Sequence, residues 1–526
     1  MRKLNKTELF NQAMKLHDEG KLDEADEIYQ SILKNNADNF VANYFHGCVL
    51  LQKSQLTEAK IYFKKALDSN PNNYEANNNL GIVYKNLNDL ENAKKYFLKA
   101  TAIDENNFEA YFNCGNLYYD EKEYDLAVVF FDKAIACNKD HGEAHYRLGL
   151  TYQEKYRAKR NTDYLIKSAA CHKASIICDP SHSDAHASLG MTNLWLGNIK
   201  EANKCFKKVC SLKYSEQTTF SKYIETYLSD KKLLSALIKH EYEQLTFIGN
   251  GTDNTGNYKF TKEYYDELEN LYLKIKDNHF DIKDVTSSMK IEIPKILCNV
   301  PPKLSSSSII NESNDIESLE SEYLQKAPGI LVVDDFLNKE ALAELQNFCL
   351  NANIFKQPFQ NGYLGAFLSE GLSNEFILKL SEDLRLTYKN IFKDLKLMTA
   401  LIFKYDSTEK GINIHADQSS VNVNIWVTPD NANMDKKSGG LQIWNKIPSA
   451  DTLVQVKELG FDAYNSDTEP TKKKKFLAEN ESIKQIIPYR ENRAIIFNSM
   501  LLHTTDNYNF RDNYEDRRIN VTFFYD

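Results

Sequence analysis

At 526 residues the chain is too long for one compact core, given about 100 to 200 residues per domain. Hydrophobic residues make up 42% and aromatics 12%, too many for a disordered chain, while 65 basic against 74 acidic residues leave a net charge of −9 that gives no pull toward a phosphate backbone or an anionic membrane. No stretch reaches the roughly 18 apolar residues of a membrane span, the N-terminal segment lacks a signal-peptide run, and the nine cysteines form no CxxC, so a cytoplasmic protein with reduced thiols is expected, with neither nucleic acid nor membrane as partner.

Glycine recurs at Gly47, Gly81, Gly115 and Gly149, each step being 34 residues. The same step separates Ala59, Ala93 and Ala127, the rings of Phe63, Phe97 and Phe131, Ala66, Ala100 and Ala134, and Tyr84, Tyr118 and Tyr152. Small residues let two helices cross closely and aromatics fill the space between them, so this period predicts stacked helix pairs. Ala13, Ala25 and Tyr29 form a looser first unit. The step from Gly149 to Gly190 is 41, which predicts about seven inserted residues between Tyr156 and Leu165. Gly190, Ala202 and Phe206 close a sixth unit, so the array is assigned to residues 1–216. The pattern resembles the tetratricopeptide repeat, and the resemblance implies an all-α superhelix whose groove takes a protein or peptide. Residues 217–279 keep a helical pattern and are expected to form a cap or spacer. Residues 280–327, polar and rich in Pro and Ser, are expected to be a linker.

From Pro328 the apolar period shifts from 3.6 toward 2. Strands are predicted at 329–336, 397–405, 421–428, 439–445, 484–489, 493–499 and 518–526, with helices at 337–351 and 374–392, and the set fits a β-sandwich or jelly roll. Residues 446–481, holding Lys472 to Lys475, are predicted to be a polar, solvated insertion between strands.

Histidine placement carries the chemistry. Of three H-x-D triplets, His182–Asp184 falls in a turn between repeats and His279–Asp281 at the expected linker, where polar residues are ordinary. His415–Asp417 lies between predicted strands, where alternate side chains share a side. Beyond Asp281 the other histidine is His503, just after a strand. Two histidines and one carboxylate are what a facial iron(II) site requires; the competing reading is two surface histidines.

Residues 328–526 resemble the iron- and 2-oxoglutarate-dependent dioxygenases, especially their prolyl-hydroxylase-like branch, in VVDDFL (332–337), HAD (415–417), SGGL (438–441), NRAIIFNSMLLH (492–503) and RRINVTFFYD (517–526). The resemblance implies a double-stranded β-helix in which His415, Asp417 and His503 bind iron(II) and are catalytic. It also implies 2-oxoglutarate and O2 as cosubstrates, with Tyr405 and a last-strand arginine holding 2-oxoglutarate, and hydroxylation as the net reaction. Strand parity assigns the arginine to Arg518, which shares its side with Asn520, Thr522 and Phe524, and Thr522 can add a third donor. Arg517 shares the apolar side and is expected to emerge into solvent. On 421–428 the face of Asn422, Asn424, Trp426 and Thr428 either lines the pocket or meets solvent. The expected function is a hydroxylase of a protein or peptide recruited by the repeats. The alternatives are a repeat scaffold with a degenerate oxygenase domain and a small-molecule oxygenase.

Overall fold

A computed structural model describes residues 6–213, 227–250, 262–288, 302, 308–326, 328–406, 411–417, 419–449 and 477–526. The chain divides into two compact units, Met1–Ser188 and Leu189–Asp526, with the division inside the helix Ser183–Trp195.

The first unit is all-α, an array of helix pairs typified by Phe40–Gln52 with Leu56–Ser69, Tyr74–Asn86 with Leu90–Ile103, and Phe108–Asp120 with Tyr124–Cys137. Each first helix opens on an asparagine at the same repeat position. Asn39, Asn73 and Asn107 accept from the backbone N–H of Ala42, Ala76 and Ala110, at 2.9, 2.7 and 2.6 Å. The repeating glycine is set by packing: a Cβ on Gly81 would stand 2.6 Å from the ring of Phe97, and one on Gly115 equally close to Phe131. In the next pair, Gly142–Lys159 with Thr162–Cys178, His172 takes the place of that phenylalanine, 2.5 Å from where a Gly149 Cβ would stand. The seven extra residues lengthen both helices of this pair: the first gains five, the second three, and the connection loses one. His172 is fully buried and neither ring nitrogen has a hydrogen-bond partner. Burial, and then the nearby His182, push its pKa down to about 3.

In the second unit, Gly190 still packs on Phe206, but this sixth pair is built into the core of the β-rich region. Leu194, Ala202 and Phe206 join that core, and the Trp195 indole donates to the Leu397 carbonyl at 2.6 Å. The boundary drawn at 216 from repeat spacing therefore does not coincide with the division of the chain. Nor do the described residues of the expected spacer and linker stand apart. The helices Lys231–Asn250 and Lys262–Lys276 contribute Leu234, Leu237, Leu245, Tyr264 and Leu268 to the same core, and the expected linker contributes Phe280, Val285, Ile309 and Ile310. Ile310 forms a backbone bridge with Leu337, and Asn338 N–H donates to the Ile309 carbonyl at 3.0 Å. A few apolar residues in a polar stretch suffice once a sheet offers them a surface, and average composition hides them. The run Lys472 to Lys475 lies outside the described residues.

The strands are β1 (Ile330–Val333), β2 (Gln357–Phe359), β3 (Tyr363–Phe367), β4 (Leu397–Tyr405), β5 (Val421–Trp426), β6 (Leu441–Trp444), β7 (Lys484–Ile487), β8 (Ala494–Asn498), β9 (His503–Thr505) and β10 (Ile519–Tyr525). They form a seven-stranded sheet in the order β1-β8-β5-β10-β4-β3-β2 and a three-stranded sheet β7-β6-β9. Every strand pairing among them is antiparallel. The helices Lys339–Asn351 and Glu375–Thr387 occur where the 3.6 period predicts them and bury Leu345, Phe348, Leu380 and Leu384. The strands β2 and β9 carry three residues each, too few for a legible alternation, and β3 (YLGAF) shows none.

Two outcomes follow from this packing. His172→Phe restores the repeat's own ring. Because the folded pKa of His172 lies below the ordinary value of about 6.5, the wild type keeps this residue's contribution above that pH and loses it as the pH falls. Thermal melts at pH 7 and pH 4 should show a higher midpoint for the variant and a smaller drop between the two; an unchanged drop removes His172 as the cause. A fragment starting at residue 189 should fold, whereas one starting near 320 should not, since it loses the aliphatic residues of 231–310. Circular dichroism of both fragments checks this, and a folded, soluble 320–526 would contradict it.

Candidate metal centre

His415 and His503 face each other across a two-way backbone bridge. His415 N–H donates to the His503 carbonyl at 2.9 Å, and His503 N–H donates back to the His415 carbonyl at 2.8 Å. Asp417, two residues on and so on the same side, is anchored by its own N–H to the Ser499 carbonyl at 2.9 Å. The two imidazole centroids are 4.2 Å apart and all three side chains are buried.

The tautomers are fixed by what the rings touch. Nδ1 of His415 lies 2.7 Å from the Asn413 carbonyl, and Nδ1 of His503 lies 2.9 Å from the Leu501 carbonyl. A carbonyl only accepts, so both Nδ1 atoms carry protons and both Nε2 atoms are turned toward Asp417. The Nε2 atoms stand 3.6 Å from Asp417 Oδ1 and 3.3 Å from Oδ2, and one ligand atom from each residue lies within 4.8 Å of the others. Lone pairs converging at this separation in a buried site call for a positive charge between them, a proton or a metal ion. Burial raises the Asp417 pKa, but the imidazoles of His503 and His415 and the Asn422 amide outweigh it and hold the carboxyl below its ordinary value.

The same cavity is lined by Tyr405, Asn422, Asn424, Trp426, Arg518 and Thr522. Arg518 is fully buried on the polar side of the last strand, with its guanidinium 4.6 Å from the Tyr405 ring centroid and 5.7 Å from that of Trp426. Its Nε donates to the Gly439 carbonyl at 2.7 Å and its Nη2 to the Gly440 carbonyl at 3.3 Å, which leaves Nη1 buried without a partner among the described residues. This explains the glycine pair of SGGL. Gly439 has φ +84°, and a Cβ on Gly440 would fall 1.9 Å from the Ile487 carbonyl, so only glycine brings these two carbonyls to the arginine. The motif was visible in the sequence; its service to Arg518 was not.

Three expectations change. Asn422, Asn424 and Trp426 line the cavity and are buried, so the solvent-exposed alternative for that face is excluded. Thr522 lines the cavity too, but its hydroxyl donates to Asn424 Oδ1 at 2.7 Å and accepts from Asn520 at 3.0 Å, so its single proton is already committed. Arg517 does not reach solvent: it is 3% exposed and pairs with Glu243 on the helix Lys231–Asn250. Parity placed it on the correct side, but the helix that covers that side comes from far earlier in the chain. The other two triplets make no cluster of this kind among the described residues. His182 accepts from Ala185 N–H and contacts Glu143 at 3.2 Å, and Asp281 Oδ1 accepts from Lys283 N–H. The sequence names Asn422 as a possible lining residue but not its bond: its amide donates to Asp417 Oδ2 at 2.6 Å. The alternation of β5 placed it on the polar face, with no signal of its partner.

Among known proteins, residues 41–73, 74–107 and 108–141 each match the tetratricopeptide repeat family model. No curated protein matches the chain. Solved structures similar to it include a MamA fragment from Desulfovibrio magneticus RS-1, 24% identical over 37% of this chain and 97% of that one, with TM-score 0.30. YrrB, described as a TPR protein with an unusual peptide-binding site, is 20% identical over 36% of this chain and 93% of its own, with TM-score 0.31. PilW, a type IV pilus biogenesis factor, is 20% identical over 40% of this chain and 97% of its own, with TM-score 0.36. The N-terminal region therefore carries tetratricopeptide repeats, followed by a β-rich region of antiparallel sheets, and no described helix is long and apolar enough to cross a membrane.

Proposed function

We propose that the second unit is an iron(II)- and 2-oxoglutarate-dependent dioxygenase of double-stranded β-helix type, hydroxylating a protein or peptide recruited by the tetratricopeptide repeats. The observation that carries this reading is the convergence of His415 Nε2, His503 Nε2 and an Asp417 oxygen in a buried cavity with both Nδ1 protons held by backbone carbonyls. Two neutral imidazoles and one carboxylate suit iron(II), and three protein ligands leave positions for other groups. When bound, iron(II) would supply activation of O2, the oxidant that takes 2-oxoglutarate to succinate and CO2 with one oxygen atom and hydroxylates the substrate with the other.

The chain's own residues account for the rest. The unpartnered Nη1 of Arg518 is a buried cationic donor in the same cavity, which supports a carboxylate ligand there. The carbonyls of Gly439 and Gly440 and the ring of Tyr405 hold the guanidinium in place. The cavity is partly open and offers about 40 Å³, space for a few waters. The match of residues 41–141 to tetratricopeptide repeats supports a protein or peptide partner, since repeats of this kind generally build extended binding surfaces.

Anaerobic iron titration followed by succinate release tests the reading. Wild type should bind one iron(II) per chain and release succinate, while His415→Ala and Asp417→Ala should lose both. Full activity in either variant would sink the assignment. Arg518→Ala should raise the 2-oxoglutarate KM roughly ten- to a hundredfold, the loss of a charge-assisted contact worth about 1.5 to 3 kcal/mol. Arg517→Ala should instead lower the melting temperature, because it leaves Glu243 unpaired at a largely buried position. The reverse pattern in steady-state kinetics and melts would mean that the arginine roles are exchanged.

A further inference from the structure

Asn422 is the second residue of β5, 1% exposed, with Phe524 of β10 opposite it on one side and Phe497 of β8 on the other. Its Nδ2 donates to Asp417 Oδ2 at 2.6 Å, and its own Oδ1 is buried without a partner among the described residues. The orientation of the amide is fixed by chemistry, since turning it over would set two oxygens against each other at that distance. An interior amide that leaves its acceptor unmet is held by what its donor grips. The residue type matters as well. Lysine or arginine at this position would also hold the carboxylate but would cancel its charge; asparagine adds a donor and no charge, so the triad keeps the single negative charge that attracts a divalent cation.

We propose that Asn422 is a positioning residue for Asp417: its amide locks the carboxylate by Oδ2 and so sets it up to bind a divalent metal through one oxygen. This rests on the metal reading above. Without the amide, the carboxylate can turn about its Cβ–Cγ bond and bind with both oxygens or swing away from the histidines.

The test is cobalt(II) titration of the metal-free full-length chain, reading the affinity by chelator competition and the coordination by the d–d absorption band. The variants are Asn422→Ala and Asn422→Leu, the second keeping the side-chain volume so that a failure of the alanine variant to fold leaves the comparison intact. Both should still bind one cobalt per chain, but ten- to a hundredfold more weakly, with the d–d band shifted in position and intensity. A merely structural role would lower the melting temperature of the metal-free variants and leave that band where it is in wild type. Wild-type affinity and spectrum in either folded variant would overturn the role of Asn422 while the metal site stands. A wild-type chain that takes up no cobalt would overturn the metal reading, and this inference with it.

Discussion

The candidate site depends on one backbone interaction, the reciprocal pair of hydrogen bonds between His415 and His503. Residues paired in this way across an antiparallel ladder exchange both N–H···O bonds, and their side chains leave on the same side. The separation of the two imidazoles is therefore set by backbone rather than by flexible side chains. The i, i+2 rule then brings Asp417 to that side, and the carbonyls of Asn413 and Leu501 set each ring's tautomer and tilt. The three side chains have little left to choose. Loss of the β9 pairing would separate His503 from the other two even with every side chain intact.

The last strand, β10, divides the second unit into two chemical environments. On one side Arg518, Asn520 and Thr522 face the cavity, where Asn424 closes a three-way hydrogen-bond network with the latter two. On the other, Ile519, Val521 and Phe523 enter the apolar core. Arg517 begins that side, and its charge is met by Glu243. Nearby, Lys404 is fully buried with its ammonium 3.2 Å from the Tyr514 ring centroid, and burial, then Arg517, holds its pKa well below the usual lysine value. The unit thus buries ionisable groups on both sides of the strand, Lys404, Arg517 and the largely buried Glu243 behind it and His415, Asp417, His503 and Arg518 around the cavity.

In the repeats the recurring constraint is the contact of a helix glycine with an aromatic ring. It is the reason the glycine recurs every 34 residues, and it survives the seven-residue lengthening at Gly149 because the ring partner shifts with the second helix. The pair that closes on Phe206 keeps this contact and also serves the core of the β-rich region, so one motif performs two packing tasks.

Local periodicity in the sequence encodes the repeat units, the strands β1, β4, β5, β6, β7, β8 and β10, the two helices beside them, the i, i+2 placement of His415 and Asp417, and the side of β10 from which Arg518 points. These depend on side chains a few residues apart, whose relative directions follow from helix or strand geometry. Only the tertiary structure decided the contacts made across long stretches of chain. Glu243 meets Arg517, Gly439 and Gly440 meet Arg518, and Ile309 and Ile310 fill a core that their polar surroundings gave no reason to expect. Asn422 and Asp417 are only five residues apart, yet their meeting depends on the bond from Asp417 to Ser499, which is more than eighty residues away in sequence. The physical reason is the same in each case: a partner chosen by sheet pairing or helix docking leaves no periodic trace near the residue it serves.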